Sequence, residues 1–486
     1  MNRAQFALAA ALIALANVLA AAEPLAAWQL TLRAARPGAV FDVAETPRVT
    51  ALVRNAAGHD PAAKIEFDVR DSEGRQLATG QESAPVPPGQ TRPIDLPLGD
   101  PAHLPHGEYL SLHVRLVADG RCQGQWRKGF GFLPRCEVTI PPEQSPFGLL
   151  NDAGDWPLMA RLGVRHVRLN WNWNERPLEW ASRYKVSNCP LMNEANAFVC
   201  GQLTEKEYAA FVRESVRRYK SYIHYWQLGN EFDIFHREGP KSYVESQRVG
   251  YAVAKAEDPN CVVVGGSITA LEVRREGFPE SLDLGLARYC DIYDFHFYSD
   301  LATTQDLLDY IRATCKAHHA EKPLWVTETT QVGMFDPDDR NQAEYVFKRF
   351  THLLANEVSV ICWHALSWPY PFSTDKTQAT AIIDYEGFAR PSLFAYAALT
   401  RELAGARFVR RRDAGPGGYV LEFARGPRTL VVLWSESGRR SYQLRHKPGE
   451  YFVTFPSGKR IARPSPQGSI DIDVSKTPAI YDLPEG

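Results

Sequence analysis

The chain has 486 residues, past the length at which one hydrophobic core stops growing, and its 44% hydrophobic and 23% charged residues exclude a disordered or fibrous protein. Its formal charge of −2, from 55 basic and 57 acidic residues, supplies no global field to recruit nucleic acid or anionic lipid. Aromatic residues reach 11%, with 11 Trp and 20 Tyr, which suits large sandwich cores or stacking surfaces for planar or sugar ligands.

The first residues carry Arg3, an apolar run from Phe6 to Ala20, and small residues at Ala20 and Ala22 before Glu23. These are the three regions of a secretory signal peptide, so residues 1–22 are expected to be cleaved near Ala22, leaving a secreted or periplasmic protein with no membrane insertion. The alternative, an uncleaved anchor, is disfavoured because the run is Ala-rich and short for a span of ~20 residues. Residues 23–143 alternate, as in RVTALVRN, KIEFDVRD and YLSLHVRLVAD, with turn clusters between them, and predict an N-terminal antiparallel sandwich of immunoglobulin-like type. The Pro-rich stretch RCEVTIPPEQSPFG reads as a linker.

From 144 to 405 the grammar changes to buried apolar runs separated by helical patterns. FGLLND, HVRLNW, HYWQLGNE, CVVVGGS, YDFHFY, PLWVTET and VSVICWH are seven candidate parallel strands, and an eighth is expected between Tyr184 and Gln202, where the pattern is weakest. Eight strand-helix units over ~260 residues predict an α/β fold, a (β/α)8 TIM barrel. A doubly wound sheet would carry a G-x-G-x-x-G after a strand, and none is present. Residues 406–486 return to short runs, YVLEFARG, TLVVLWSES, YFVTFPSG and IDIDV, and predict a small C-terminal β-sandwich. The run Arg410, Arg411, Arg412 reads as a solvated face.

The eight cysteines include no C-x-x-C, which removes the zinc-ribbon spacing. Cys122 with Cys136 and Cys189 with Cys200 bracket short polar stretches and are the expected disulfides in an exported protein, whereas Cys261, Cys290, Cys315 and Cys362 read as core thiols. His318 and His319 are adjacent on a predicted helix, share no face, and make no metal pair.

In a parallel barrel the chemistry projects from the C-terminal ends of strands. There stand Arg168, Asn170, Trp171 and Trp173 in HVRLNWNW; Asn230 and Glu231 after HYWQLG; Asp294, His296 and Tyr298 in YDFHFY; Glu328 in PLWVTET; and Trp363, His364 and Trp368 in ICWHALSW. A carboxylate closing an apolar strand needs counter-charges or a function, because burial without partners costs several kcal/mol. Two facing carboxylates can cleave a glycosidic bond, one as acid and one as nucleophile or base. The bland alternative is a pair of structural ion pairs.

Trp226-Gln227-Leu228-Gly229-Asn230-Glu231, then His296-Phe297-Tyr298, then Trp325-Val326-Thr327-Glu328-Thr329, then Trp363 resemble the clan A retaining glycoside hydrolases, whose (β/α)8 barrels end strand four in Asn-Glu and strand seven in Glu. Together with IIDYEGFARPSLFAYAAL after strand eight, the pattern is most similar to families 39 and 5, and the likeness spans the middle ~260 residues. The resemblance implies that Glu231 is the general acid/base and Glu328 the nucleophile, with carboxyls about 5 to 5.5 Å apart. It further implies that Asn230 bonds the sugar 2-hydroxyl, Tyr298 donates to Glu328, Arg168 partners the nucleophile, His296 lines the subsite and Trp363 forms a platform under the sugar; the competing reading of Arg168 and His296 is a buried hydrogen-bond hub, and of Trp363, core packing. Trp171, Trp173 and Trp368 are further candidate platforms, and Asp233 and Asp294 candidate substrate contacts.

Many clan members follow the acid/base Glu with Pro. Phe232 stands there instead, so the loop 232–239 is expected to take another path. The expected activity is a glycosidase acting on a β-linked oligo- or polysaccharide with neither metal nor organic cofactor. Two other readings remain: a transglycosylase tied to exopolysaccharide processing, using the same pair, and a non-catalytic carbohydrate-binding or cell-surface protein on a barrel scaffold.

Overall fold

The computed structural model describes residues 27–56, 63–134, 140–150, 155–173, 175–235, 239–269, 277–330, 340–367 and 380–484. The expected signal peptide, Cys136 and Trp368 lie outside the described residues. Among the described residues no helix is long and apolar enough to cross a membrane.

Eight parallel strands form the centre: β1 (Phe147–Leu150), β2 (His166–Asn170), β3 (Ser187–Met192), β4 (Tyr225–Leu228), β5 (Val262–Val264), β6 (Tyr293–Phe297), β7 (Leu324–Thr329) and β8 (Val360–His364). Their sheet order is β5-β4-β3-β2-β1-β8-β7-β6, and bridges Val264 to Ile292 and Ile268 to Phe295 join its two edges into a closed TIM barrel. Runs such as FGLL and YDFHF are buried at every position, as strands covered on both faces must be. The weakly patterned strand is β3, whose SNCPLM interrupts the branched apolar run with Asn188 and Pro190 while remaining buried from Asn188 onward.

Helices cover the outside. They include α1 (Trp156–Arg161), α2 (Arg176–Tyr184), α3 (Glu194–Val199), α4 (Glu205–Tyr219), α5 (Phe232–Phe235), α6 (Pro240–Glu257), α7 (Gly277–Asp283), α8 (Leu301–Ala317), α9 (Arg340–Ala355) and α10 (Pro391–Leu403). Pro in the first turn starts α1, α2, α6 and α10, where its missing N–H has no partner to lose. Thr204 and Glu207 close a capping box on α4. The helix α8 stops at Ala317, so His318 and His319 lie just past its end, His318 against Asp283 at 3.3 Å.

Before the barrel, a three-stranded antiparallel sheet (Trp28–Ala34, Arg48–Asn55, Thr91–Pro97) and a five-stranded sheet enclose one apolar core. After it, six- and two-stranded sheets follow, and Tyr419 and Trp434 of the larger one pack against the barrel core beside His352 of α9. Arg410 and Arg411 are exposed, as a solvated face requires, and within it Arg410 and Arg412 pair with Glu422 while Arg411 lies over Tyr419.

The front sheets are stitched to the barrel. Lys128 reaches Asp384 at 2.7 Å and also Glu386, both in the segment after β8. Arg161 of α1 donates to the carbonyls of Phe41 (2.9 Å) and Leu133, Gly38 bridges Phe388, and the Phe388 side chain sits in the front core.

Candidate active site

Glu328 ends β7 with its side chain 14% exposed, enough to be reached from the barrel mouth while enclosed on its other sides. Arg168, from β2 and 3% exposed, donates Nη1 to Glu328 Oε2 at 2.8 Å, and Tyr298 donates its hydroxyl to Oε1. Burial alone would raise the Glu328 pKa, but charge on His296, Arg168 and His364 outweighs it and holds the carboxyl below its ordinary value. Glu328 is therefore a carboxylate kept ionised in an enclosed site.

Glu231 follows β4 across a turn in which Gly229 (φ +91°) and Glu231 (φ +42°) both take left-handed conformations. For a residue with a Cβ that conformation costs of order 1 kcal/mol or more and persists only where neighbours enforce it. Its side chain, 13% exposed, meets His296 Nδ1 at 2.7 Å. One carboxylate oxygen each of Glu231 and Glu328 and a ring nitrogen of His296 lie within 4.8 Å of one another. Two carboxyls on different strands thus face one another across the barrel mouth.

Beneath them runs a buried polar lattice. Arg168 Nε donates to Gln227 Oε1 (2.8 Å) and Nη2 to Asn230 Oδ1 (2.6 Å). Gln227 Nε2 donates to Asp294 Oδ2 at 2.7 Å, and Asp294 accepts from Thr327 through both its backbone N–H (2.8 Å) and its hydroxyl (2.6 Å). His296 Nε2 faces Thr327 Oγ1 at 3.2 Å and Asp294 at 3.6 Å. Burial opposes charge on this imidazole, yet Glu328, Asp294 and Glu231 around it outweigh burial and push its pKa up to about 9. His296 is thus a cation at neutral pH, set between the two glutamates.

Of the residues singled out in the sequence, Arg168, Asn230, Glu231, His296, Tyr298 and Glu328 converge here. Trp363 does not offer an exposed platform: it is fully buried, its Nε1 donates to Thr380 O at 2.8 Å, and its ring packs near Tyr345 of α9. Trp171 is likewise buried, bonded to Ser215 and packed on Tyr219 and Trp226, while Trp173 beside it is 36% exposed. Asp294 is 2% exposed and committed to the lattice, and Asp233 receives the Thr269 N–H at 3.1 Å; neither is placed as a substrate contact. Phe232, in the place of the clan's Pro, is buried and stacks on Tyr243 with centroids 3.6 Å apart, anchoring the short helix α5.

The Cys189 to Cys200 disulfide is not formed. Cys189 is a buried free thiol in β3, packed with Cys362 and Trp325, because its side chain points into the barrel rather than toward the loop. Cys122 is also a free thiol, and its expected partner is outside the described residues. Cys261, Cys290, Cys315 and Cys362 are buried.

Sequence reasoning missed Gln227, Thr327, Ser267 and Asn196. The first two carried a signal, a polar residue inside a run that should be wholly apolar. Ser267 Oγ, after β5, accepts the Glu231 N–H at 3.3 Å and donates to Asn230 Oδ1 at 3.2 Å. Asn196, on α3, bonds both backbone polar groups of Asn230.

No family model matches the chain, and no curated protein matches it. Among solved structures it is similar to a family 39 glycoside hydrolase from the gut symbiont Bacteroides cellulosilyticus WH2, at 15% identity over 94% of this chain and 100% of that one, with a TM-score of 0.66. It is also similar to a GH30 endoxylanase from Clostridium papyrosolvens C71 (13% identity, 70% and 97% of the two chains, TM-score 0.52) and to a glucosidase from Croceicoccus marinus (11%, 72% and 98%, 0.54). At such identities the likeness shows the fold. The first match spans the flanking sheets as well as the barrel.

Proposed function

We propose that this protein is a retaining glycoside hydrolase that cleaves a β-linked oligo- or polysaccharide, with Glu328 as nucleophile and Glu231 as acid/base. The observation that carries the reading is the pair itself: Glu231 and Glu328 each bring one carboxylate oxygen within 4.8 Å of the other's, an approach that suits a retaining pair, whose carboxyl groups lie about 5 to 5.5 Å apart. An inverting pair would leave a wider gap for water, roughly 6.5 to 9.5 Å. The names of the structural neighbours, a family 39 glycoside hydrolase, an endoxylanase and a glucosidase, agree in reaction class.

Glu328 is suited to attack the anomeric carbon because Arg168 and Tyr298 hold it in place as an anion. As its oxygen bonds to carbon, the bond to the leaving oxygen breaks and that oxygen takes a proton from Glu231. The contact between Glu231 Oε1 and His296 Nδ1 carries that proton on one atom or the other, and leaving-group departure draws it to Glu231. Water then gives its proton to Glu231 and its oxygen to the anomeric carbon, which frees Glu328. Arg168 and Ser267 both donate to Asn230 Oδ1, which turns the Asn230 NH2 group outward to donate to a sugar hydroxyl.

The signal-like first 22 residues support action outside the cytoplasm, in the periplasm or beyond the cell. The flanking sheets, as immunoglobulin-like and small sandwich domains, brace the barrel in this reading.

The test is hydrolysis of aryl β-glycosides, β-glucans, xylans and bacterial exopolysaccharides by wild type, Glu328→Ala and Glu231→Ala, with azide added. Glu328→Ala is expected to lose roughly 10⁴-fold or more and to yield a glycosyl azide of inverted configuration; Glu231→Ala is expected to lose about 10²–10⁴-fold and to yield the retained one. Full activity in both variants would make the pair structural.

A further inference from the structure

The strand β4 and its neighbour β3 pair in parallel from Leu191 with Gln227 to Met192 with Leu228, and Gly229 N–H still reaches Met192 O at 3.1 Å. There β3 leaves the barrel and its chain turns into α3. The next residue on the other side, Asn230, would have no backbone partner for its N–H or its C=O, and Glu231 follows it in a strained conformation. Both groups are met by one side chain: Asn196 Oδ1 accepts the Asn230 N–H at 2.8 Å, and Asn196 Nδ2 donates to the Asn230 carbonyl at 2.6 Å. An amide side chain thus stands in for the strand that has departed.

The fit is close. A Cβ built on Gly229 would stand 2.6 Å from Asn196 Oδ1, so the turn and the amide are packed without slack. The remaining backbone donor of the turn, the Glu231 N–H, is taken by Ser267 from the opposite neighbour, β5. Among the described residues, no charged group holds Glu231 by its backbone.

We propose that Asn196 is a positioning residue for the acid/base: it fixes the backbone on which Glu231 is mounted, and with it the height of that carboxyl over the leaving oxygen. The inference rests on the proposed glycosidase reading and adds a residue that touches neither substrate nor reacting atoms. Asparagine alone supplies both a donor and an acceptor at this reach, whereas aspartate keeps the size and loses the donor. Glu328, on β7, is held by side-chain hydrogen bonds from Arg168 and Tyr298, and Asn196 is bonded to none of these three residues.

That difference makes the effect selective. Asn196→Ala and Asn196→Asp are assayed beside wild type on a dinitrophenyl β-glycoside, whose leaving group departs without a proton, and on the phenyl glycoside of the same sugar, which needs one. On the phenyl substrate kcat/KM is expected to fall roughly ten- to a hundredfold, part of the 10²–10⁴ that general acid catalysis contributes; on the dinitrophenyl substrate it stays within about threefold. Equal losses on both substrates would make Asn196 a packing residue of the whole site, and no loss on either would show that the turn holds without it; each result overturns the proposal. Hydrogen–deuterium exchange over residues 229–231, measured without substrate, is expected to rise at least about tenfold in Asn196→Ala, and less in Asn196→Asp, which keeps the acceptor for the Asn230 N–H, while β6 and β7 keep their protection. Unchanged exchange there would also overturn it. Wild type that cleaves no glycoside would sink the proposed function and leave the clamp to be judged by exchange.

Discussion

Glu328 and Glu231 close two strands of one barrel, yet they are held by opposite means. Glu328 is held by its side chain, through a guanidinium, a phenol and the field of a charged imidazole, and its backbone simply continues β7. Glu231 is held by its backbone, in a turn tied down by Asn196 of α3 and by Ser267 after β5, and its carboxyl is bonded to His296 alone among described side chains. Charge suits a group that keeps one ionisation state until it bonds to carbon. In the proposed reaction Glu231 gives up and takes back a proton, and it shares that proton with one partner, the His296 imidazole at 2.7 Å, while its place is set by the backbone.

Arg168 tests this contrast hardest, since it touches both sides. Arg168→Met removes the cation from Glu328 and the donor from Asn230, and kcat/KM is expected to fall about 10³-fold, with about 3–5 kcal/mol of stability lost as a buried ion pair is left half-made. Denaturant unfolding together with steady-state kinetics reads both; a loss under threefold in rate would show that Glu328 needs no fixed cation. His296 comes next. Its pKa is raised to about 9 in the fold, so its contribution to stability is complete below the ordinary value near 6.5 and is lost as pH rises through about 9. The stability advantage of wild type over His296→Gln is expected to shrink by about 3 kcal/mol across that window, and a pH-independent difference would mean that the imidazole is neutral in the fold. Tyr298→Phe is the mildest change. It removes one hydrogen bond to the charged form of Glu328, so kcat/KM is expected to drop roughly tenfold and the acidic limb of its pH profile to move upward. An acidic limb that stays in place would show that Tyr298 orients Glu328 without supporting its charge.

The barrel was legible because seven of its strands are mainly apolar runs that alternate with helical patterns, and both glutamates were legible because they stand at or just past the ends of such runs. β3 was not, since Asn188 and Pro190 break its pattern and only the neighbours on either side show that a strand must stand there. Asp294 was singled out and misread: an acid near a strand end looks the same in sequence whether it faces the mouth or, as here, lies beneath it bonded to Thr327 and Gln227. Trp363 posed the same ambiguity, because an indole under a site and an indole in a core have one spelling. Asn196 left no trace at all. Its bonds go to the backbone of a residue 34 positions away, and backbone atoms have no signature in a sequence.

The seam between the front sheets and the barrel bears on how such a molecule can be re-engineered. A gene cut just before Ser145 would deprive Asp384 and Glu386 of Lys128, leave Arg161 without two carbonyl acceptors, and bare the Phe388 ring that the front core now swallows. The barrel is therefore no interchangeable cassette: exchange of the front sheets would unseat the segment that follows β8, whereas point changes in the strand-end loops would leave this seam whole.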